Sequence, residues 1–336
     1  MNIIVTGSIS YDDIMDFPGK FADHFHPEKL HQINISFVVD KLVRQLGGTG
    51  TNIAYNIAKI FNSRPPEGRK LKILGAVGKD GGDFLDFFEV NNVDTSGIIT
   101  DKKLYTATGK VMTDERDNQI WSFYYGASIT AKKISLKEYL TKNTFLVISA
   151  NHHDAFLNFQ KEAIKLNIPY LYDPGMALTW ISDHDLKNGV LHSQYLIGND
   201  YEMAMILKRI RKTVKELTSY GLKIITTLGE KGVRYEEKSQ IINHKLQMNG
   251  KHQKNKLLKL EIPSFRVKKV VDPTGAGDAF RGGFVAGLAM GFDVEKCLKL
   301  GNVMASFAIE KYGTVNHRPS IKDIERRLLH LTNSKS

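Results

Sequence analysis

A glycine-rich turn in the last third of the chain combines features that suit anion binding. In VVDPTGAGDAFRGGF, residues 270–284, Pro273 ends a strand-like run because proline cannot donate a backbone hydrogen bond to a sheet. Gly275 and Gly277 permit a tight turn and leave backbone amides uncovered. From Ala276 onward, small and apolar residues predict a buried helix. The turn therefore leads into a helix N-terminus, whose free amides and dipole attract anions.

Asp278 lies within this turn, although a carboxylate beside an anion site repels the anion. We interpret it as a general base that takes the proton from a hydroxyl attacking a phosphoryl group, and we expect the helix N-terminus to keep it ionised at neutral pH. The backbone amides of Gly275, Ala276, Gly277 and Asp278 would stabilise charge developing on the transferred phosphate. The alternative is that Asp278 only caps the helix.

The elements that must position this turn alternate between strand and helix along the chain. Such alternation is typical of an α/β fold with a mainly parallel sheet covered by helices. Strands are predicted at residues 2–8, 71–78, 145–149, 168–173, 194–199 and 222–229. Helices are predicted at residues 50–61, 81–93 and 154–167, and the last third of the chain is expected to be mainly helical.

Two segments interrupt this alternation of strands and helices. Residues 31–39 and 104–125 alternate apolar with polar side chains, as half-exposed antiparallel strands do. Because they are inserted into a parallel core, we expect a small β-sheet lid, formed by segments at about 12–45 and 98–126. No linker separates lid from core, so residues 1–336 are expected to form a single domain. The apolar face of the lid strands predicts a homodimer.

Charge and composition limit the kinds of partner. The chain of 336 residues has a formal net charge of +11, and much of the excess lies in residues 244–259. That stretch has no aromatic residues for base stacking, so we expect a solvated hairpin and no nucleic-acid partner. The positive charge still favours anionic substrates such as ATP.

The cysteine content and the apolar stretches favour a cytoplasmic location. The single Cys297 excludes an internal disulfide and is typical of a reducing compartment. The opening MNIIVTGS lacks the basic region of a signal peptide, and the apolar stretch at residues 282–292 is too short to span a bilayer. We expect no membrane partner.

Four motifs resemble those of a known family. DPTGAGDAFRGGF (272–284) resembles the C-terminal signature of the ribokinase-like carbohydrate and nucleoside kinases, the PfkB family, and GGTGTNIA (47–54) resembles its N-terminal signature. NDYE (199–202) is similar to the family's N-x-x-E element, and TTLGEKG (226–232) to its nucleotide-side glycine turn. The resemblance covers nearly the whole chain. It implies a ribokinase-like fold with a small β lid and transfer of the γ-phosphate of ATP, with Mg²⁺, to a hydroxyl group.

Within that family, VTGSISYDDIMDFPGKF and HPEKLHQINISFVVDKLVRQLGG resemble bacterial adenosine kinases. The resemblance implies that Asp12 holds the sugar hydroxyls. It also implies that Ser8, Ser36, Gly48 and Asn52 complete the ribose side of the pocket. A carboxylate suits this role because it accepts hydrogen bonds from two vicinal hydroxyls. Judged without the resemblance, Asp12 is equally compatible with a turn after the first strand.

The base side of the implied pocket is less regular. Phe123, in WSFYYG, matches an aromatic residue that packs on the base in the resembling enzymes, although it is nearly as compatible with a buried lid residue. Gly109 stands where an aromatic base contact is expected, and residues 175–177, GMA, where a polar contact is expected. His152 and His153 follow a strand end, where they either contact substrate or serve as loop residues.

On the ATP side, the resemblance implies that Asn199 approaches the phosphates and that Glu202 holds Mg²⁺ through water. A single carboxylate is enough because Mg²⁺ keeps several of its waters. The alternative for both residues is an ordinary helix start on the surface. Thr227 and Gly229 end a strand where a nucleotide would lie at the carboxyl edge of the sheet.

Further candidates lie around the glycine turn. Arg281 follows Asp278 by one helical turn and would reach a phosphate or pair with a neighbouring acid. Family members often carry K⁺ beside the anion hole, and Asp272, Thr274 and Gly313 fall at matching positions. Thr274 is therefore assigned to the cofactor side of the site.

Together, the resemblance implies ATP-dependent phosphorylation of the 5′-hydroxyl of adenosine to give AMP. A kinase of another nucleoside, or of a sugar such as ribose or fructose, stays open because Gly109 lacks the expected ring. A binding protein without catalysis is disfavoured because Asp278 and the glycines of its turn are present.

Overall fold

The computed structural model describes residues 1–25, 34–63, 70–116, 118–239 and 257–333. Strands and helices are numbered in chain order. Among the described residues, a nine-stranded sheet contains β1 (Asn2–Thr6), β4 (Leu71–Val77), β5 (Asp94–Thr100), β8 (Thr144–Ser149), β9 (Tyr170–Asp173), β10 (Tyr195–Asn199), β11 (Lys223–Thr227), β12 (Val233–Lys238) and β13 (Leu257–Ile262). Their order is β13-β12-β11-β10-β9-β8-β1-β4-β5. Neighbours pair in parallel except for β11–β12 and β12–β13, which confirms the predicted mainly parallel sheet.

Helices cover both faces of this sheet. They are α1 (Thr49–Ser63), α2 (Gly82–Val90), α3 (His153–Lys165), α4 (Asp183–His192), α5 (Asp200–Ile210), α6 (Val214–Ser219), α7 (Ala276–Ala289), α8 (Val294–Ala308) and α9 (Ile321–Asn333). Successive strand residues point to opposite faces, so Ile3 and Val5 join the core beneath α1, α7 and α8, whereas Ile4 joins the core beneath α3 to α6. Burial on both faces explains why these strands are continuous apolar runs.

In the part of the chain that the structure describes, the lid is a separate four-stranded sheet. It contains β2 (Ser10–Asp16), β3 (Lys41–Gly47), β6 (Ala107–Thr113) and β7 (Gln119–Tyr124), in the order β3-β2-β6-β7. Only β2 and β6 pair in parallel. Residues 98–100, which the sequence assigned to the lid, lie in β5 at the edge of the large sheet.

The prediction of a strand over residues 31–39 is wrong for its described part, residues 34–39. The alternating exposure is present there, but the segment forms no sheet ladder, and the strand begins only at Lys41. The cause is aromatic packing, because the ring of Phe37 contacts the rings of Phe17 and Phe21. Residues 31–33 lie outside the described residues.

The predicted hairpin around the lysine-rich stretch is present at its base. Strands β12 and β13 pair antiparallel from Val233–Ile262 to Lys238–Leu257. Residues 244–256 of the stretch lie outside the described residues. In the described part of the chain, no helix is long and apolar enough to cross a membrane.

Candidate active site

The N-terminus of α7 forms the predicted glycine turn. Gly275 caps the helix with a φ of +77°, and a Cβ at this position would lie 2.9 Å from the Thr314 side chain. Glycine is therefore required both by the backbone conformation and by the close packing. The amide of Ala276 donates to the carbonyl of Pro273 over 3.2 Å. The amides of Gly275, Gly277 and Asp278 have no acceptor among the described residues, so three of the four predicted anion-hole amides are uncovered.

Asp278 is half-buried in the first turn of α7 and does not cap that helix. Its Oδ2 accepts a hydrogen bond from Asn52 Nδ2 over 2.8 Å. Burial raises the pKa of Asp278 to about 6, while Arg281 and the Asn52 hydrogen bond act in the opposite direction. Desolvation is therefore the largest effect on the pKa of Asp278, and it opposes the ionised form that the sequence led us to expect at neutral pH. At pH 7 the carboxylate form still prevails.

Arg281 pairs with an acid inside the protein. One of its Nη atoms lies 2.6 Å from Asp173 Oδ1, and both side chains are buried. Asp173 Oδ2 also accepts a hydrogen bond from Ser149 Oγ over 2.7 Å. The sequence left two alternatives for Arg281, a contact with a phosphate or an ion pair with a neighbouring acid, and the structure contains the ion pair. The pair holds α7 against the carboxyl ends of β8 and β9.

Asp12 lies on β2 in a row of residues that crosses the lid. The strand register aligns Gln45, Asp12, Gly109 and Phe123 side by side, and we refer to them as the Asp12 row. A Cβ at Gly47 would lie 2.0 Å from Asp12 Oδ2, and one at Gly109 would lie 3.2 Å from Asp12 Oδ1. Two glycines therefore make the space that the carboxylate occupies.

The Asp12 carboxyl lies within electrostatic reach of Asp278. Burial, followed by the charges of Asp278 and Asp13, raises the pKa of Asp12 to about 7. The charge of Asp278 disfavours the ionised form of Asp12, so a proton or a ligand that donates hydrogen bonds is favoured at Asp12. The space they share can accept hydroxyl donors.

Phe123 extends the Asp12 row toward solvent, with 38% of its surface exposed. A Cβ at Gly109 would lie 3.5 Å from the Phe123 ring and 3.7 Å from the Trp121 ring. The sequence led us to expect an aromatic ring at position 109. The structure has two rings beside this position instead, and both come from the neighbouring strand β7. A flat apolar surface therefore lies next to the Asp12 carboxylate.

The other predicted sugar-side residues divide into two groups. Ser8 Oγ accepts from the Thr49 amide over 3.0 Å at the start of α1, and Gly48 has a φ of +88° beside the Ser8 carbonyl. Asn52 Oδ1 is buried without a hydrogen-bond partner among the described residues. Ser36 is exposed in the segment that packs through Phe37, and no hydrogen bond links it to the Asp12 row in the described part of the chain. Ser8, Gly48 and Asn52 therefore lie together at the start of α1, whereas Ser36 forms no hydrogen bond with them among the described residues.

The ATP-side candidates lie at the carboxyl ends of β10 and β11, where Asn199 pairs with Thr227. Asn199 Oδ1 accepts from the Glu202 amide and Glu202 Oε2 accepts from the Asn199 amide, each over 2.8 Å. This reciprocal pair caps α5, as the surface alternative predicted. The charge of Glu202 nevertheless raises the pKa of Asp278, so Glu202 acts electrostatically on the glycine turn. Gly229 has a φ of +59° and faces open space.

The three residues matched to a K⁺ site also lie together. The Asp272 carboxylate accepts hydrogen bonds from the amides of Thr274 and Gly313, each over 2.9 Å. These bonds hold the loop after α8 against the glycine turn. Within the described residues, no group of three or more acidic, histidine or cysteine side chains could hold a metal ion.

Sequence reasoning missed the residues that support the site from behind. Asp173, Ser149 and Gln45 carry no motif, and only the position of Asp173 and Ser149 at strand ends could have singled them out. His317 is buried and Nε2 lies 2.8 Å from Asn56 Oδ1, one helical turn from Asn52 on α1. Such residues become visible only when the elements are packed.

A parallel α/β sheet with a β lid, and an aspartate beside uncovered amides at a helix N-terminus, define a class of phosphotransferases. The chain belongs to the pfkB family of carbohydrate kinases, whose sequence pattern matches residues 19–321. It is 27% identical over 307 residues to a nucleoside kinase of Methanocaldococcus jannaschii, covering 90% of this chain and 92% of the relative. It is 28% identical over 290 residues to a ribokinase of Bacillus subtilis, covering 84% and 87%.

A solved relative supports the same assignment. The structure of Burkholderia thailandensis nucleoside kinase in complex with inosine superposes with a TM-score of 0.80 at 26% identity and covers 99% of both chains. The chain is therefore a phosphotransferase that acts on a hydroxyl group, in a family that uses ATP and phosphorylates nucleosides or sugars. The predicted family and fold are confirmed, whereas adenosine as the particular substrate stays a prediction.

Proposed function

We propose that this protein transfers the γ-phosphoryl group of ATP to the 5′-hydroxyl of a nucleoside. The observation that carries the proposal is the pair of carboxylates, Asp12 and Asp278, placed beside the uncovered amides of α7. Asp12 accepts hydrogen bonds from the sugar hydroxyls, which orients the 5′-oxygen toward Asp278. Adenosine is the acceptor that the sequence favours.

Asp278 acts as the general base of the transfer. The 5′-oxygen forms a bond to the γ-phosphorus, the bond from that phosphorus to the β–γ bridging oxygen breaks, and the hydroxyl proton passes to Asp278. A base with a pKa of about 6 is mostly ionised at pH 7, and its partial desolvation favours proton uptake. Closure of the lid would exclude water, so that ATP is not hydrolysed.

The uncovered amides of Gly275, Gly277 and Asp278 stabilise the charge on the transferred phosphoryl group. ATP lies along the carboxyl ends of β10 and β11, where Thr227 ends β11 and Gly229 faces open space. Glu202 fits Mg²⁺ because Oε2 serves the helix cap and Oε1 has no hydrogen bond among the described residues. Magnesium would neutralise phosphate charge.

A nucleoside suits the site better than a free sugar because of Phe123. The exposed ring extends the Asp12 row away from the glycine turn, where a sugar alone would leave it uncovered. A base stacked on such a ring contributes about 1–3 kcal/mol. A free sugar would gain none of this energy.

The test is ATP-to-ADP turnover with Mg²⁺ on adenosine, inosine, guanosine, cytidine, ribose and fructose, with ATP alone as the control. We expect at least one nucleoside to exceed both sugars in kcat/KM by 10-fold or more. Phe123→Ala should raise the KM for that nucleoside and leave the KM for ATP unchanged. Turnover on ribose or fructose alone would contradict a nucleoside acceptor and leave the carboxylate chemistry intact.

A further inference from the structure

A cluster of aromatic and histidine rings continues the surface that Phe123 begins. It consists of Tyr125, His152, His153 and Trp180, and we call it the ring cluster. The ring centroids of Phe123 and Tyr125 are 5.1 Å apart, those of Tyr125 and His152 5.2 Å, and those of His153 and Trp180 4.4 Å. Each member of the ring cluster is half-buried, so part of its surface faces solvent.

The ring cluster borders the sugar side of the site through the loop after β8. In that loop, Asn151 Nδ2 donates to the Gly7 carbonyl over 3.2 Å, and the Ala150 carbonyl accepts from the Ser8 amide over 2.9 Å. Thr49 Oγ1 donates to the same Ala150 carbonyl over 3.0 Å. The residue that follows Asn151 therefore lies between the start of α1 and the rings of the lid.

The tautomer of His152 is fixed by its own helix. The backbone amide of Asp154 donates to His152 Nδ1 over 3.3 Å, and a backbone amide can only donate, so Nδ1 carries no proton. Burial lowers the pKa of His152, so the neutral ring prevails at neutral pH. The single ring proton is then on Nε2, which faces away from the helix cap as a hydrogen-bond donor.

A donor at this place distinguishes purine bases by the substituent at carbon 6. A 6-oxo group accepts a hydrogen bond, whereas the 6-amino group of adenine donates and would face another donor. Residues 175–177, GMA, supply no side-chain polar group, and Met176 is 51% exposed. No side chain of residues 175–177 therefore supplies the polar contact that was expected there.

We propose that His152 determines base specificity by donating from Nε2 to the 6-oxo group of a purine stacked on Phe123, so that inosine and guanosine are preferred over adenosine. This inference rests on the proposed nucleoside kinase function and changes its predicted substrate. The group that pairs with His152 Nε2 is a hydrogen-bond acceptor at carbon 6 of the base. Any 6-oxopurine nucleoside carries such an acceptor.

The experiment compares kcat/KM for inosine, adenosine and purine riboside, which carries only hydrogen at carbon 6, in the wild type and in His152→Asn. Asparagine can still accept from the Asp154 amide and keep the helix cap, but its shorter side chain withdraws the donor. In His152→Asn we expect the ratio of kcat/KM for inosine to kcat/KM for adenosine to fall about 10- to 100-fold, mainly because the KM for inosine rises. The kcat/KM values for purine riboside and for adenosine should change less than 3-fold. His184→Asn, on the exposed face of α4, is the matched control and should keep the wild-type ratio.

The role of His152 would be overturned if the wild type preferred adenosine, or if His152→Asn kept the wild-type ratio of kcat/KM for inosine to kcat/KM for adenosine. Either result would leave the proposed function standing. If His152→Asn does not fold, the wild-type comparison of inosine with purine riboside decides, because loss of the 6-oxo group should lower kcat/KM by at least 10-fold. Phosphorylation of sugars without any nucleoside would overturn the proposed function itself.

Discussion

Asp12 and Asp278 share a site that disfavours the ionised state of both carboxyls. Desolvation is the largest cause in each case, and it raises the pKa of Asp12 to about 7 and that of Asp278 to about 6. A protein gains no stability from such a pair, and perturbed carboxyls of this kind cluster at functional sites. The pair is therefore an electrostatic cost that a bound sugar and a transferred proton would relieve.

Replacing Asp12 should stabilise the empty protein while it removes substrate binding. The pKa of Asp12 is about 7 in the folded state against 3.8 for an ordinary aspartate, so ionisation destabilises the fold. The penalty is absent below pH 4, grows as the pH rises and is complete above pH 7. Asp12→Asn should therefore raise the free energy of unfolding by about 1–2 kcal/mol at pH 8 and change little at pH 4. Urea denaturation at the two pH values measures this.

Asp13 provides the matched control on the opposite face of the same strand. It forms a two-pronged ion pair with Arg44, with distances of 2.7 and 2.9 Å. Asp13→Asn should lower the free energy of unfolding at pH 8 by about 1–2 kcal/mol. Equal destabilisation by both substitutions at pH 8 would contradict the raised pKa of Asp12.

At the scale of elements, the two lid strands that flank β2 create the space for Asp12. Gly47, at the end of β3, and Gly109, on β6, both border its carboxylate. The lid therefore leaves room for the Asp12 carboxylate by omitting side chains, in the same way that Gly275 opens the turn before α7.

Gly47→Ala should separate binding from stability. The new Cβ would lie 2.0 Å from Asp12 Oδ2, and the carboxylate, as the end of a flexible side chain, must rotate away. We expect the KM for the acceptor to rise about 10-fold or more, while the free energy of unfolding changes by less than about 1 kcal/mol. Initial-rate kinetics and urea denaturation test both parts. Gly82→Ala, where a Cβ meets nothing within 4 Å, is the control and should leave KM unchanged. Unchanged KM in Gly47→Ala would show that Asp12 does not bind the acceptor.

The elements also show what the sequence can and cannot predict. Buried parallel strands and the turn at Asp278 follow from local patterns, because burial on two faces and glycine geometry leave a signal in the residues themselves. Strand β2 was missed because Asp12, Asp13 and Asp16 suit a turn equally well, and only pairing with β3 and β6 makes it a strand. Residues 34–39 form no strand for a related reason, since Phe37 packs on other rings instead of joining a ladder.

At the scale of the whole molecule, the lid carries an apolar row on the face opposite Asp12. Leu42, Met15, Met112 and Ile120 align across its four strands, and Leu42 is 64% exposed. We propose, as the sequence suggested, that this row packs against a second copy of the chain. Burial of such a row by a symmetric partner is a common route to a dimer.

Sedimentation velocity tests the dimer directly. The wild type should sediment as a dimer at micromolar concentration, and Leu42→Glu should shift it to monomer by placing a charge in the apolar row. Val90→Glu, which adds the same charge at an 81% exposed position on α2, should not. A monomeric wild type at high concentration would remove the proposal.

The most direct test of the account is the turnover number of Asp278→Asn with ATP, Mg²⁺ and the best nucleoside acceptor. Asparagine keeps the size of the side chain but cannot accept the hydroxyl proton, so kcat should fall by about 10³-fold while both KM values stay within a few-fold. Asp86→Asn, an exposed carboxylate on α2, should keep wild-type turnover. If Asp278→Asn retained a kcat within 10-fold of wild type, Asp278 would not be the base, and the central claim would be wrong.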